Sequence, residues 1–259
     1  MKFLDKLDKT SKKNNSLLCV GLDVDLSKIP QAIVSQEDPI YIFNHEIINA
    51  TKDLVCAYKP NIAFYERYGT YGLQSLIKTI ELILANEIPV ILDAKRGDIG
   101  HSAAAYAESI FKVYKADAVT INPYLGEDSM APFVDYKDKG IFVLCLTSNP
   151  GASDFQAGIF KQVAQKVKNL NRHNNCGLVV GATKPEELKN IRSLVGDMPI
   201  LIPGIGAQQG NLESTVKFGV DKAGNRAIIN SSRGIIYAEN PKEAAKNLRD
   251  EINRYRWAK

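Results

Sequence analysis

A short apolar run that stops at Gly, Asp, Asn or Pro, followed by a longer stretch with helical spacing, recurs along the whole chain. This repeat narrows the possible folds more than any single motif does. The candidate strands are Leu17–Leu22, Leu54–Lys59, Pro89–Asp93, Ala118–Asn122, Ile141–Thr147, Gly177–Gly181, Ile200–Pro203 and Ala227–Ser231. Candidate helices lie near 39–53, 66–86, 101–115, 128–138, 155–173, 185–195, 211–218 and 241–257. Polar caps beside a proline, at Asp38-Pro39, Thr183-Lys184-Pro185-Glu186 and Asn240-Pro241, start three of them. Apolar runs without polar alternation suit strands covered on both faces, and alternation with helices favours parallel pairing. Eight such units in 259 residues match a single α/β domain over 1–259, a (β/α)8 (TIM) barrel. A doubly wound open sheet uses the same local signals and is the alternative. Residues 1–14 read as an amphipathic lead-in packed near the barrel's base.

Composition excludes several classes of function. With 45% apolar and 24% charged residues the chain is an ordinary globular protein. Its 33 basic and 29 acidic residues leave +4, too small a surplus to argue for nucleic acid. No run of 18 apolar residues occurs, so no transmembrane helix is expected. The start, Met1-Lys2-Phe3-Leu4-Asp5-Lys6, mixes charges into its apolar positions and does not read as a signal peptide. Cys19, Cys56, Cys145 and Cys176 are far apart and form no C-x-x-C pair. They read as buried thiols of a reducing cytoplasm, neither disulfides nor metal ligands. His45 and His173 fall in helical patterns, and His101 lies close to the end of the third candidate strand. Together the three lack metal-site spacing. Tyr65, Tyr68 and Tyr71 recur at helix spacing, as packing or intersubunit residues would. Arg254-Tyr255-Arg256-Trp257 ends an amphipathic helix.

In a (β/α)8 barrel the reactive groups collect where strands end, and phosphate usually sits after strands 7 and 8. Strand 1 ends in Gly21-Leu22-Asp23, strand 2 in Tyr58-Lys59-Pro60, and strand 3 in Asp93-Ala94-Lys95-Arg96-Gly97-Asp98. Asp93 and Lys95 are two apart, which on an extended segment puts both on one face. One mouth would thus hold Asp23, Lys59, Asp93 and Lys95, with Asp98 nearby. A desolvated cluster of that size is costly unless its signs alternate, and such clusters mark functional sites more often than structural ones.

The stretch Asp93-Ala94-Lys95-Arg96-Gly97-Asp98-Ile99 resembles the D-x-K-x-x-D-I signature of the orotidine 5′-phosphate decarboxylase family, most closely its bacterial subgroup with D-A-K-R-G-D-I-G. Further matching blocks are Leu18-Cys19-Val20-Gly21-Leu22-Asp23, Tyr58-Lys59-Pro60, Thr147-Ser148-Asn149-Pro150-Gly151-Ala152, Pro203-Gly204-Ile205-Gly206-Ala207-Gln208 and Ser231-Ser232-Arg233-Gly234. The resemblance implies a decarboxylase of a pyrimidine nucleotide that works without metal or organic cofactor. It implies that Lys95 stabilises the developing carbanion and donates the proton, and that Asp93 stands near the leaving carboxylate. Lys59 and Asp98 complete a Lys-Asp-Lys-Asp array. In the family the last Asp enters from a neighbouring subunit, so a homodimer with shared sites is expected. Asp23 would accept from ribose hydroxyls, Thr147 and Ser148 would read the pyrimidine edge, and Pro203, Gly206, Gln208, Ser232 and Arg233 would line the phosphate end. Ser102 stands where many relatives have Thr, which keeps the hydroxyl. Gly206 stands where another subgroup has Arg, which leaves more of the phosphate charge to Arg233.

Two other readings compete. Sugar-phosphate decarboxylases and aldolases of the same superfamily share D-x-K-x-x-D but bind Mg2+, and need an extra acidic ligand near the end of strand 2, for which Glu66 is the nearest candidate. A non-catalytic phosphate-ligand-binding barrel would keep the phosphate loops but has no use for the charge array.

Overall fold

The computed structural model describes residues 1–205 and 211–257. Eight strands form one parallel sheet: β1 Leu18–Gly21, β2 Ala57–Lys59, β3 Ile91–Arg96, β4 Ala118–Ile121, β5 Gly140–Leu146, β6 Cys176–Val180, β7 Ile200–Pro203 and β8 Ala227–Ser231. Every strand pairs with its sequence neighbours except that β2 and β3 share no ladder, and β1 pairs with β8. Single bridges from Tyr58 to Val90 and from Asn61 to Asp93 join β2 to β3 and close the ring. The architecture is the expected (β/α)8 barrel.

Pairing explains where strand boundaries differ from the apolar runs. β2 begins at Ala57 rather than Leu54, and the carbonyls of Leu54 and Val55 are instead taken by Ser16 Oγ and Asn14 Nδ2, just before β1, at 2.7 and 2.8 Å. The helix expected near 66–86 is split into Ala63–Glu66 and Gly69–Ala85. Between them Arg67 pairs with Asp25 at 2.9 Å, and the Tyr68 hydroxyl accepts the Leu26 N–H at 3.0 Å, so this corner braces the loop after β1. The helix near 155–173 ends at Leu170, which leaves His173 in a turn.

The lead-in forms a helix over Phe3–Lys13. Its Phe3, Leu4 and Leu7 join Cys19, Cys56, Ala57, Ile91, Ala118, Phe142, Val179, Leu201 and Ile228 in one apolar cluster inside the base of the barrel. Phe3 meets Phe142 edge-on, with centroids 5.7 Å apart. Lys6 pairs with Asp117 at 2.7 Å and anchors the plug to the start of β4. All four cysteines are buried. Burial pushes the thiols of Cys56, Cys145 and Cys176 up to about 12 and raises Cys19 well above its ordinary value. No helix among the described residues is long and apolar enough to cross a membrane.

Candidate active site

Side chains alternate along a strand, so the inward positions above the apolar base lie two residues further on. They are Gly21, Lys59, Asp93, Thr120, Leu144, Gly181, Pro203 and Asn230, so the charge and polarity of this layer come from β2, β3, β4 and β8. Gly21 is required by a close approach: a Cβ there would stand 2.7 Å from Ser232 Cβ. The Ser232 hydroxyl donates to the Gly21 carbonyl at 3.0 Å, which joins the ends of β1 and β8.

Asp93 is the hub. Its Oδ2 accepts from Lys59 Nζ at 2.8 Å, and its Oδ1 accepts from Lys95 Nζ at 2.7 Å and from Thr120 Oγ1 at 2.8 Å. The Lys59 side chain is only 4% exposed, whereas that of Lys95 is 46% exposed at the mouth. Burial opposes charge on Lys59, but attraction to Asp93 and Asp23 outweighs it, and its pKa is raised. Burial likewise opposes charge on Asp93, and the two ammonium groups overcome it, holding the carboxyl well below the usual range. Both groups therefore stay ionised at neutral pH.

Lys95 reaches Asp93, though not along a plain extended strand. The β3–β4 register shifts between Leu92 and Arg96, and Lys95 adopts φ +46°, in the left-handed region. A regular strand would give both side chains one direction. Here the bulge re-aims Lys95.

Asp23 lies at the start of the loop after β1. Its Oδ1 is buried and has no hydrogen-bond partner among the described residues. The Tyr65 hydroxyl donates to the Leu22 carbonyl at 2.8 Å, and the Tyr237 hydroxyl to the Asp23 carbonyl at 3.1 Å. Tyr65 is thus packing and also a brace for this strand end, a role its helical spacing alone does not reveal.

After β5, Thr147 is already engaged: its N–H donates to Gln156 Oε1 at 2.7 Å and its hydroxyl to Asn149 Oδ1 at 2.6 Å. Ser148 packs against Gly181, where a Cβ would stand 2.8 Å from both its Cβ and its backbone nitrogen. Pro203 ends β7, and Arg233 is exposed at the start of the helix Arg233–Ile236 that follows β8. Gly206 and Gln208 lie outside the described residues.

Asp98 does not join the array within its own chain. Its Oδ1 accepts the Ile99 N–H at 2.8 Å, on the loop after β3, and Ser102 is exposed on the first turn of the helix Gly100–Glu108. The carboxylate of Glu66 accepts from Arg96 at 2.7 Å, so it is held by a cation at the end of β3. Among the described residues no three His, Cys, Asp or Glu side chains cluster as a metal site.

Thr120 and Asn230 are not among the site residues that the sequence motifs single out. A signal existed for each, since a polar residue at an inward position of an apolar barrel strand needs a reason to be there. Thr120 is 1% exposed and Asn230 7%, and the Asn230 Oδ1 has no partner among the described residues.

A model of the orotidine 5′-phosphate decarboxylase / HUMPS family matches residues 16–248. The orotidine 5′-phosphate decarboxylase of Dehalococcoides mccartyi is 48% identical over an alignment covering 99% of each chain. The solved structure of Leishmania donovani OMP decarboxylase superposes with a TM-score of 0.90 at 41% identity, over 100% of both chains. The Methanocaldococcus jannaschii enzyme, complexed with the inhibitor BMP, superposes with a TM-score of 0.72 at 27% identity, over 91% of this chain and 98% of that one. Near-complete coverage at this identity, on a barrel whose mouth carries the Lys59–Asp93–Lys95 cluster, leads to one conclusion: the chain belongs to the orotidine 5′-phosphate decarboxylase family of carboxy-lyases.

Proposed function

We propose that this chain converts orotidine 5′-phosphate to uridine 5′-phosphate, the closing step of UMP synthesis, through the charge array at the barrel mouth. The observation that carries this reading is one carboxylate held between two ammonium groups, Lys59 at 2.8 Å and Lys95 at 2.7 Å from Asp93. When the bond from the ring carbon to its carboxylate breaks, carbon dioxide leaves and the electron pair stays on a carbon that the ring hardly delocalises. The ammonium of Lys95 stabilises that charge and passes its proton to the carbon. Solvent then reprotonates the amine. Asp93 faces the leaving carboxylate and disfavours the bound ground state by repulsion, and Lys59 keeps Asp93 in place. No resident metal or organic cofactor enters these steps.

The remaining assignments follow the nucleotide's shape. The buried Asp23 Oδ1, which has no partner among the described residues, suits a ribose hydroxyl. Thr147 and Ser148 take the pyrimidine edge, with Thr147 exchanging its bonds to Gln156 and Asn149 for the base. Pro203, Gly206, Gln208, Ser232 and Arg233 enclose the phosphate, Arg233 as the bidentate cation. Asp98 and Ser102 serve a second copy of the chain in a homodimer with shared sites. This fits an Asp98 whose Oδ1 accepts the Ile99 N–H, and the exposure of Ile99, Tyr124 and Leu125 on the loops after β3 and β4. In this reading residues 1–259 act as one barrel domain in the cytoplasm, with four buried thiols in a reducing compartment.

The test is the loss of orotidine 5′-phosphate absorbance with purified protein, with and without a strong chelator. Wild-type turnover is expected in both. Lys95→Ala is expected to lose several factors of ten in kcat, each worth about 1.4 kcal/mol of barrier, and still to bind uridine 5′-phosphate. A variant that kept more than a tenth of the rate would remove Lys95 from the chemistry. Activity abolished by chelator and restored by Mg2+ would move the chain to its metal-dependent relatives.

A further inference from the structure

The geometry points to Thr120 as the positioning residue for Lys95, an inference that rests on the catalytic reading of Lys95 above. Thr120 stands on β4, at an inward position beside the β3 bulge, and is 1% exposed. Its Oγ1 accepts the backbone N–H of Lys95 at 3.0 Å and donates to Asp93 Oδ1 at 2.8 Å. A hydroxyl has one proton to give, and an ionised carboxylate can only accept, so the direction of both bonds is determined. Lys95 Nζ donates to that same Oδ1 at 2.7 Å, which closes a small ring through the Lys95 backbone, its ammonium, Asp93 and Thr120.

That ring answers two problems of the bulge. Ladder pairing between β3 and β4 lapses between Leu92 and Arg96, which deprives the Lys95 amide of a regular ladder acceptor. The Thr120 hydroxyl replaces that acceptor. Lys95 also has φ +46°, a region that costs a residue with a Cβ and persists only where surrounding contacts hold it. Thr120 holds it from the next strand. The same hydroxyl fixes the rotation of the Asp93 carboxylate and hence the oxygen that faces Lys95. Half-exposed lysines sample many rotamers. With its backbone and its carboxylate partner both pinned by one buried side chain, Lys95 presents its ammonium in one place. Displacement of a reacting group by about 1 Å costs rate by about 100-fold, so the loss of this clamp is expected in kcat.

The test compares Thr120→Val, which keeps the shape and removes the hydroxyl, with Thr120→Ser, which keeps the hydroxyl. For Val, kcat is expected to fall about 10- to 100-fold while KM for orotidine 5′-phosphate moves by less than about threefold. Ser is expected to stay within about threefold of wild type. If Val folds poorly, Thr120→Ala against Thr120→Ser supplies the same contrast. Wild-type kcat in Val, or equal losses in Val and Ser, would overturn the role of the hydroxyl, and so would a loss carried wholly by KM. Lys95→Ala is assayed alongside: if it stays active, the catalytic reading has failed. If it is inactive while Val turns over normally, only the positioning role has failed.

Discussion

Asp93→Asn is the most informative single substitution, because it removes one charge and leaves the shape of the hub. Three donors converge on this carboxylate: Lys59 at 2.8 Å, Lys95 at 2.7 Å and Thr120 at 2.8 Å. They do not contribute equally. The Lys95 side chain is 46% exposed, so solvent screens its pair, which is worth about 0–1 kcal/mol. The Lys59 side chain is 4% exposed, and once Asp93 is gone Asp23 is the carboxylate among the described residues left to offset its charge. Breaking a buried pair from one side costs about 3–5 kcal/mol. At about 2–4 °C per kcal/mol for a chain near this size, the melting temperature should fall by about 10 °C.

The pH dependence gives a second, independent mark. Asp93 has a depressed pKa, so its stabilisation is present above the ordinary carboxyl value of 3.8 and lost as pH falls below it. Lys59 has a raised pKa, so its stabilisation is present below the ordinary 10.5 and lost as pH rises beyond it. The deficit of Asp93→Asn relative to wild type should therefore be widest between about pH 5 and 9 and shrink at both ends. Chemical denaturation followed by circular dichroism, at fixed protein concentration because the proposed dimer's stability would depend on it, measures this. Pairing Asp93→Asn with Lys59→Met removes the stranded charge and should recover most of the loss. A deficit under about 1 kcal/mol at pH 7, or a double variant no more stable than the single, would refute the assignment of the cost to Lys59.

Two further outcomes test other parts of the structure. Phe3→Ala should cost about 3 kcal/mol through the cavity left against Phe142, and should leave kcat unchanged because the plug lies at the opposite end of the barrel; thermal unfolding and turnover check both. Inactive Asp98→Ala and inactive Lys95→Ala proteins, mixed in equal amounts, should form about half mixed dimers, each with one intact site, and regain about a quarter of wild-type sites. No recovery after exchange confirmed by mass spectrometry would sink the shared site.

Much of this molecule is written locally. The eight strands and the helices between them follow from short-range periodicity, so the barrel and its polar strand ends are legible before any contact is known. So is the candidacy of Asp23, Lys59, Asp93 and Lys95, because strand order alone assigns them to one mouth. The bulge at Lys95 is not local. It lies where β3 pairs with β4 on one side and bridges to Asn61 on the other, partners that no local pattern names. The hydroxyl of Thr120 becomes part of the site for the same reason, as do the braces from Tyr65 and Tyr237. Each is paired with a segment distant in sequence, and only packing decides which atoms meet. The reach of Asp98 is still less legible, since its expected partners belong to another copy of the chain. Periodicity depends on which residues are apolar, whereas the geometry of a charged site depends on distances of an ångström between strands, and those are set when the barrel closes.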